Sequence, residues 1–228
     1  MFLVEWEKSI LEAINAKMDI IHGFFSSDFF ERHSWIIDHI SHEVVSEKDI
    51  QKATTLITNT SGILIVRMRE MTFSYDDISD KKTILVLDGI NDPWNLGTII
   101  RIADWYGIDT IISSSDTVDV YNPKTIIATM GSFTRVSVIS LELMSFFEKI
   151  RWKRVYGAYL WGESIYAKNF VPGILVIGSE SHGIRPYLEK YITDKITIPR
   201  IGSAESLNAG IATGIIFDSM VGRIASWL

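Results

Sequence analysis

Apolar positions along the chain repeat with two different periods. Trp6, Ile10, Ala13 and Ile14 recur at helical spacing and predict an amphipathic helix over residues 5–16. The short apolar run Ile20-Ile21-His22-Gly23-Phe24-Phe25 suits a strand. Ile63-Leu64-Ile65-Val66, rich in β-branched residues, reads as a buried one. Ser46-Glu47-Lys48-Asp49 is a capping box that opens a helix running toward Leu56. These elements make residues 1–69 a small α/β unit. Residues 70–82 turn polar, with Asp76, Asp77 and Asp80, and read as a linker.

From residue 83 to 228 strands and helices alternate. Strands are predicted at 83–87, 110–112, 136–139, 155–159, 174–177 and 195–198, and helices at 96–106, 124–130, 141–149 and 206–224. Gly107 suits a left-handed helix cap, and Pro123 sits where a helix can start. The alternation predicts an α/β fold with a parallel sheet covered on both faces. Ligands of such sheets bind outside the carboxyl ends of the strands. The last helix is apolar, with small Ala209, Gly210, Ala212 and Gly214, but it carries Asp218. That suits a buried or subunit-interface helix. No charge-free apolar run reaches the roughly 18 residues of a membrane span.

Composition narrows the chemistry. The 228 residues are 47% hydrophobic and 22% charged, as in an ordinary globular protein. The absence of cysteine excludes disulfides, thiolate zinc sites and cysteine nucleophiles, and fits a reducing cytoplasm. The first ten residues are acidic where an export signal would be basic, so none is expected. Residues 1–80 hold 7 basic and 14 acidic side chains, the rest 15 and 14. An acidic N-terminal third disfavours a general phosphate-binding surface there, so nucleic-acid contacts would come from local basic patches. His33, Asp38, His39, His42 and Glu43 cluster in sequence, but their spacing fits no zinc signature and reads as polar surface; no metal is expected. The seven tryptophans and Phe24-Phe25 are assigned to the core rather than to a base-stacking platform. No Gly-x-Gly-x-x-Gly, Walker A or Gly-x-Ser-x-Gly motif occurs.

Three segments at predicted strand ends carry more information. In Leu87-Asp88-Gly89-Ile90-Asn91-Asp92-Pro93-Trp94-Asn95-Leu96-Gly97-Thr98-Ile99-Ile100-Arg101, the chain leaves a strand and enters a helix that Asn95 can cap. In Gly178-Ser179-Glu180-Ser181-His182-Gly183, two glycines around a carboxylate make a tight turn after a buried strand. In Ile198-Pro199-Arg200-Ile201-Gly202-Ser203-Ala204-Glu205-Ser206-Leu207-Asn208, a glycine loop precedes a helix expected to start near Ser206. Each could be a plain loop with a capped helix. All three lie at strand carboxyl ends and can converge on one pocket.

In this order the segments resemble the three motifs of the SpoU/TrmH family of RNA 2′-O-ribose methyltransferases: Asn-x-x-Asn-x-Gly-x-x-x-Arg, Gly-x-Glu-x-x-Gly, and Ile-Pro followed by a glycine loop and Ser-Leu-Asn. Tyr121-Asn122-Pro123-Lys124 through Ala128-Thr129-Met130-Gly131-Ser132 looks like the family's connecting segment, with Ile127 where many members have arginine. Val4-Glu5-x-Glu7-Lys8 and the strand at 62–66 resemble the ribosomal-protein-like RNA-binding domain of larger members, which usually have glycine where Trp6 stands.

The resemblance implies a catalytic domain at 83–228 with a deep trefoil knot, an RNA-binding domain at 1–69, a homodimer joined partly through the last helix, and S-adenosylmethionine as cofactor. It implies attack of a ribose 2′-hydroxyl on an already activated methyl group, a reaction that needs no metal. Arg101 would be the general base or, since a guanidinium stays charged to above about pH 12, a phosphate clamp that orients the hydroxyl. Asn95 would hold Arg101, Ser206 and Asn208 would orient Arg101 and the ribose, and Glu180 would bond to the same network. Gly178, Ile198 and Leu207 would bind the cofactor, with Thr129, Met130 and Gly131 lining the same pocket. By domain architecture the substrate would be ribosomal rather than transfer RNA. The alternative is a non-catalytic RNA-binding or ribosome-assembly protein of the same fold.

Overall fold

The computed structural model describes residues 1–55, 58–69, 71–78 and 83–222. Its first part contains β1 (Phe2–Glu5), α1 (Glu7–Asn15), β2 (Ile20–Ser26), α2 (Ser27–Ile37), β3 (His42–Val45), α3 (Glu47–Ala53) and β4 (Gly62–Val66). The sheet runs β1-β4-β2-β3, with β4 antiparallel to both neighbours and β3 parallel to β2. Alternation explains the packing: Phe2, Val4, Phe25, Leu64 and Val66 face one core, which Ile10, Ala13 and Ile14 of α1 cover. Ser46 caps α3 as the capping box predicts, while Leu56 lies outside the described residues.

Three features differ from expectation. Helix α1 begins at Glu7 because Glu5 ends β1, where its buried carboxylate accepts the Thr55 amide at 2.9 Å. Between them Trp6 turns the chain at φ 76°, ψ 133°, a region that a residue with a side chain enters only under strain. The sequence pattern also gave no sign of α2 or β3. Helix α2 is kinked at His33 and leaves Trp35 in solvent, so its apolar period is broken. His33 lies on this helix bonded to Glu7, whereas His42 and Glu43 lie on β3.

The second sheet is built from β5 (Ile84–Asp88), α4 (Pro93–Trp105), β6 (Thr110–Ser113), α5 (Pro123–Ala128), β7 (Ser137–Ser140), α6 (Leu143–Lys149), β8 (Val155–Ser164), β9 (Ile174–Gly178), β10 (Asp194–Thr197) and α7 (Ala209–Phe217). All pairings are parallel, in the order β10-β8-β9-β5-β6-β7. The central strands β5 and β9 are unbroken apolar runs, as strands covered on both faces must be. Helices α4 and α7 pack on one face. Helix α6, the 3₁₀ turn Pro186–Tyr191 and residues of the expected linker cover the other. Phe73 and Tyr75 stack near Phe146, so this part of the linker is packed rather than free. Asp80 lies outside the described residues.

Helix α5 joins the two parts. Ile126 and Phe133 belong to the first core, and Tyr121 stacks 4.4 Å from Phe2. Arg135 spans the same junction, reaching Glu12 of α1 at 2.6 Å and Asp104 of α4 at 2.9 Å. The tryptophan assignment is overturned: Trp6, Trp35, Trp94, Trp105, Trp152 and Trp161 are all exposed, and Trp227 lies outside the described residues. Phe25 is buried as expected. Gly107 adopts its left-handed cap at φ 71°.

Candidate active site

The first motif is arranged by the start of α4. Asp92, not Asn95, caps this helix, accepting the Trp94 amide at 2.7 Å, and Pro93 takes the first helical position. Asn95 therefore stands inside the first turn, buried, with its carboxamide released from capping. Gly97 is a packing requirement: a Cβ there would come 2.4 Å from the Ala128 Cβ and 2.6 Å from the Thr125 carbonyl, so α4 lies directly against α5.

The second motif is a turn closed on itself. A Cβ on Gly178 would meet the Gly183 carbonyl carbon at 2.0 Å. Gly183 has φ 67° and donates its amide to the Ser179 carbonyl at 2.9 Å. Glu180 is carried at the exposed tip.

The third motif differs from the prediction at its helix start. Asn208 caps α7, its Oδ1 accepting the amides of Gly210 and Ile211 at 3.0 and 3.2 Å. Ser206, expected at the helix start, lies upstream in the exposed loop. Of the predicted end of that helix, Ile224 lies outside the described residues.

The three motifs meet through two hydrogen bonds. Asn208 Nδ2 donates to Asn95 Oδ1 at 2.6 Å, and Asn95 Nδ2 donates to Glu180 Oε1. The direction of this relay is fixed. With its oxygen committed to the helix amides, Asn208 can only offer its NH₂ to Asn95, whose own NH₂ then faces the carboxylate. A carboxylate, two carboxamides and a helix N-terminus thus form one chain at the carboxyl ends of β5, β9 and β10.

Arg101 is not part of it. Six residues beyond Asn95, it is turned about 120° around α4 and displaced by roughly 9 Å. It is exposed and makes no hydrogen bond or ion pair with any described residue. The expected contacts from Asn95, Ser206 and Asn208 to Arg101 are therefore not formed. Arg101 instead shares an exposed stripe with Trp94, Thr98 and Trp105. Along it α7 packs closely, since a Cβ on Gly210 would lie 2.9 Å from Thr98 Cγ2.

Of the predicted cofactor residues, Gly178, Ile198 and Leu207 lie on the converging second and third segments. Ile198 packs against the sheet core, and Leu207 is 45% exposed beside the relay. Tyr159, midway along β8 and packed in the core on the sheet face opposite α7, has a buried hydroxyl without a partner, and burial pushes its pKa up to about 12. The main chain of the two glycine-bearing loops and the apolar side chains of Ile198 and Leu207 together fit a nucleoside-bearing cofactor. Thr129, Met130 and Gly131 are placed elsewhere. Gly131 faces Glu12, whose Cγ would lie 2.5 Å from an added Cβ, and Ser132 bonds Asp104 at 2.7 Å. This segment packs on the N-terminal helix and shares no hydrogen bond with the motif loops. A cavity of about 460 Å³ lined by Met71, Phe73, Ile84, Arg135 and Ile139 opens at the opposite, amino-terminal strand edge.

One cluster escaped sequence reasoning. Buried Asp88 at the end of β5 is held by Arg185, which also reaches Asp116 after β6. The Asp88 carboxylate raises the Arg185 pKa. The Ser114 hydroxyl and, less strongly, Arg185 hold Asp116 below the ordinary carboxylate value. The available signal was an aspartate ending an otherwise apolar strand.

The sequence profile of the SpoU rRNA methylase family matches residues 82–218. The 23S rRNA (guanosine(2553)-2′-O)-methyltransferase of Bacillus subtilis (strain 168) is 27% identical over 222 residues, 94% of this chain and 86% of that protein. A 23S rRNA (guanosine-2′-O-)-methyltransferase of Blochmanniella floridana is 36% identical over 145 residues, so 60% of this chain spans 56% of that longer relative. The AdoMet-bound rRNA methyltransferase of Sinorhizobium meliloti superposes with a TM-score of 0.82 at 28% identity, covering 96% of this chain and 85% of that one.

Proposed function

This chain belongs to the SpoU rRNA methylase family, and from that premise we propose that it transfers a methyl group from S-adenosylmethionine to a ribose 2′-hydroxyl of ribosomal RNA. The observation that carries the reading is the Glu180–Asn95–Asn208 relay, which draws the three motifs to one place. When bound, the cofactor supplies an electrophilic methyl group on sulfonium sulfur. Gly178, Ile198 and Leu207 would hold it, through loop main chain and two apolar side chains suited to an adenine ring. Arg101, exposed and unpaired, binds the phosphate beside the target ribose. It would donate to the 2′-oxygen and stabilise the negative charge that develops as the hydroxyl proton passes to solvent water. The relay keeps the turn at Glu180 and the start of α7 in register, which would fix the loops that orient the hydroxyl toward the methyl group.

Further parts of the proposal rest on separate observations. A deep trefoil knot at 83–228 is supported by the strand order and by close packing of α7 on α4 after the long 198–208 segment. A homodimer through α4 and α7 is supported by exposed Trp94, Trp105 and Ile211 around Arg101. Residues 1–69, with their own core, would serve as the ribosomal-protein-like RNA-binding domain, 70–82 as the linker. The enzyme would work in the cytoplasm; among the described residues no helix is long and apolar enough to cross a membrane.

The test is incubation with methyl-labelled S-adenosylmethionine and unmethylated ribosomal or transfer RNA, followed by digestion to nucleosides. Label in a 2′-O-methyl nucleoside of ribosomal RNA is the expected result. Arg101→Ala should lower turnover by about 10²–10⁴ while S-adenosylmethionine still binds. Undiminished turnover in that variant would remove Arg101 from the site, and label on a base would overturn the chemistry. Failure of the wild type to methylate or to bind cofactor would favour a non-catalytic RNA-binding protein.

A further inference from the structure

We infer that Arg185 is a positioning residue for methyl transfer: it latches three strand-exit loops together and so holds the 178–183 turn in the form that presents Gly178 and Glu180. This rests on the proposed function in assigning the cofactor to that turn.

The latch centres on Asp88. This last residue of β5 pairs in register with Gly178, the last residue of β9, and its side chain is fully buried. Its carboxylate accepts the Arg185 backbone amide at 2.7 Å and Nε at 2.6 Å, with Nη2 also in contact. The turn is therefore anchored at both ends on one residue. Gly178 meets Asp88 through the sheet, and Arg185 meets it through the side chain, closing a ring around Glu180. The outer edge of the guanidinium takes a second carboxylate, with Nη1 and Nη2 on Asp116 at 3.1 and 3.2 Å. That ties in the loop leaving β6.

The distribution of donors separates this arginine from Arg101. Arg185 commits each of Nε, Nη1 and Nη2 to a protein carboxylate, which neutralises its charge toward an RNA phosphate; Arg101 has no such partners among the described residues. The planar fork serves both carboxylates at once, which a lysine ammonium cannot do in the same geometry. Without it, Asp88 would be an uncompensated charge in the sheet interior, and water could reach it only if the turn opened. Opening the turn would withdraw Glu180 from Asn95.

Two variants test the latch without depending on Arg185→Ala, which risks misfolding. Arg185→Lys keeps a positive charge beside Asp88. Asp116→Asn removes only the outer, half-exposed arm. For each, we would measure amide hydrogen exchange of residues 179–184 in the cofactor-free protein, the S-adenosylmethionine Kd, the RNA KM and the melting temperature. Arg185→Lys should speed exchange in the turn and raise the cofactor Kd by ~10-fold or more, with the RNA KM unchanged. Asp116→Asn should move both by only about 2–5-fold at an unchanged melting temperature. Unchanged exchange in Arg185→Lys would overturn the latch. Faster exchange with an unchanged Kd would overturn its positioning role, as would equal losses of cofactor and RNA affinity. A wild-type protein that bound no S-adenosylmethionine would instead sink the proposed function, and the exchange comparison would still decide the latch.

Discussion

Gly97→Ala sets two opposing effects against each other at a position where the structure decides the sign. In an unconstrained helix interior, alanine is more favourable than glycine by about 1 kcal/mol. Here the new methyl would lie 2.4 Å from the Ala128 Cβ and 2.6 Å from the Thr125 carbonyl oxygen. Carbon atoms sit comfortably at ~3.5–4.0 Å, so α4 must move away from α5 by about 1 Å. Both neighbours are fixed, one a methyl on a short side chain and the other backbone. Overpacking of this kind costs about 1–3 kcal/mol or more and outweighs the propensity gain. At roughly 2–4 °C per kcal/mol for a chain of this size, the melting temperature should fall by several degrees. The consequence for function is larger. Asn95 is two residues away and bonds Asn208 at 2.6 Å; a 1 Å shift would stretch that bond to about 3.6 Å, beyond hydrogen-bonding distance. Misplacement on this scale can lower turnover by ~10²-fold. Thermal unfolding and single-turnover methyl transfer would be measured side by side. A variant that melts higher than wild type and turns over normally would refute the argument, since it would mean that α4 and α5 do not touch at Gly97.

Asn208→Ala should cost about 1 kcal/mol from the lost helix cap, and a further ~1–3 kcal/mol because buried Asn95 loses its donor. Ser206→Ala should stay within about 0.5 kcal/mol of wild type; equal melting temperatures for the two variants would contradict the assignment of the cap. Acid should weaken the junction between the two sheets. Burial raises the pKa of Asp104, but hydrogen bonds from Arg135 and Ser132 outweigh it and leave the group below its ordinary 3.8. A depressed folded pKa means that the contribution is complete above about pH 4 and is lost as pH falls through the folded value. With Arg135 half exposed, the loss should be no more than ~1 kcal/mol, seen as a steeper acid decline in wild type than in Arg135→Gln; parallel declines would exclude this ion pair as a source.

Several parts of this architecture were legible because they depend on local pattern. The unbroken apolar runs of β5 and β9 mark strands with no exposed face, and Ser46 marks its helix. The misread positions turned on competition between neighbours. Asn95 is a good cap, but proline at 93 makes Asp92 the cap and leaves Asn95 for another use. Ser206 is also a good cap, yet Asn208 takes that place. Tryptophan gave no guide to burial, since all six described tryptophans lie at the surface while Phe25 and Phe29 are fully buried. The Arg185 pairings connect residues 97 and 69 positions apart, and no local spacing encodes them. The placement of Gly131 against Glu12 of α1 likewise depends on how the two sheets dock.

The hydrogen bond between Asn95 and Asn208 spans 113 positions of the chain. During synthesis, every strand of both sheets leaves the ribosome before the residue that completes the relay. A nascent or prematurely ended polypeptide that lacks Asn208 cannot complete the relay, even with every strand made. Because the proposed target is RNA of the kind that makes up the synthesising particle, a chain still short of Asn208 lacks the assembled site that would act on its own ribosome.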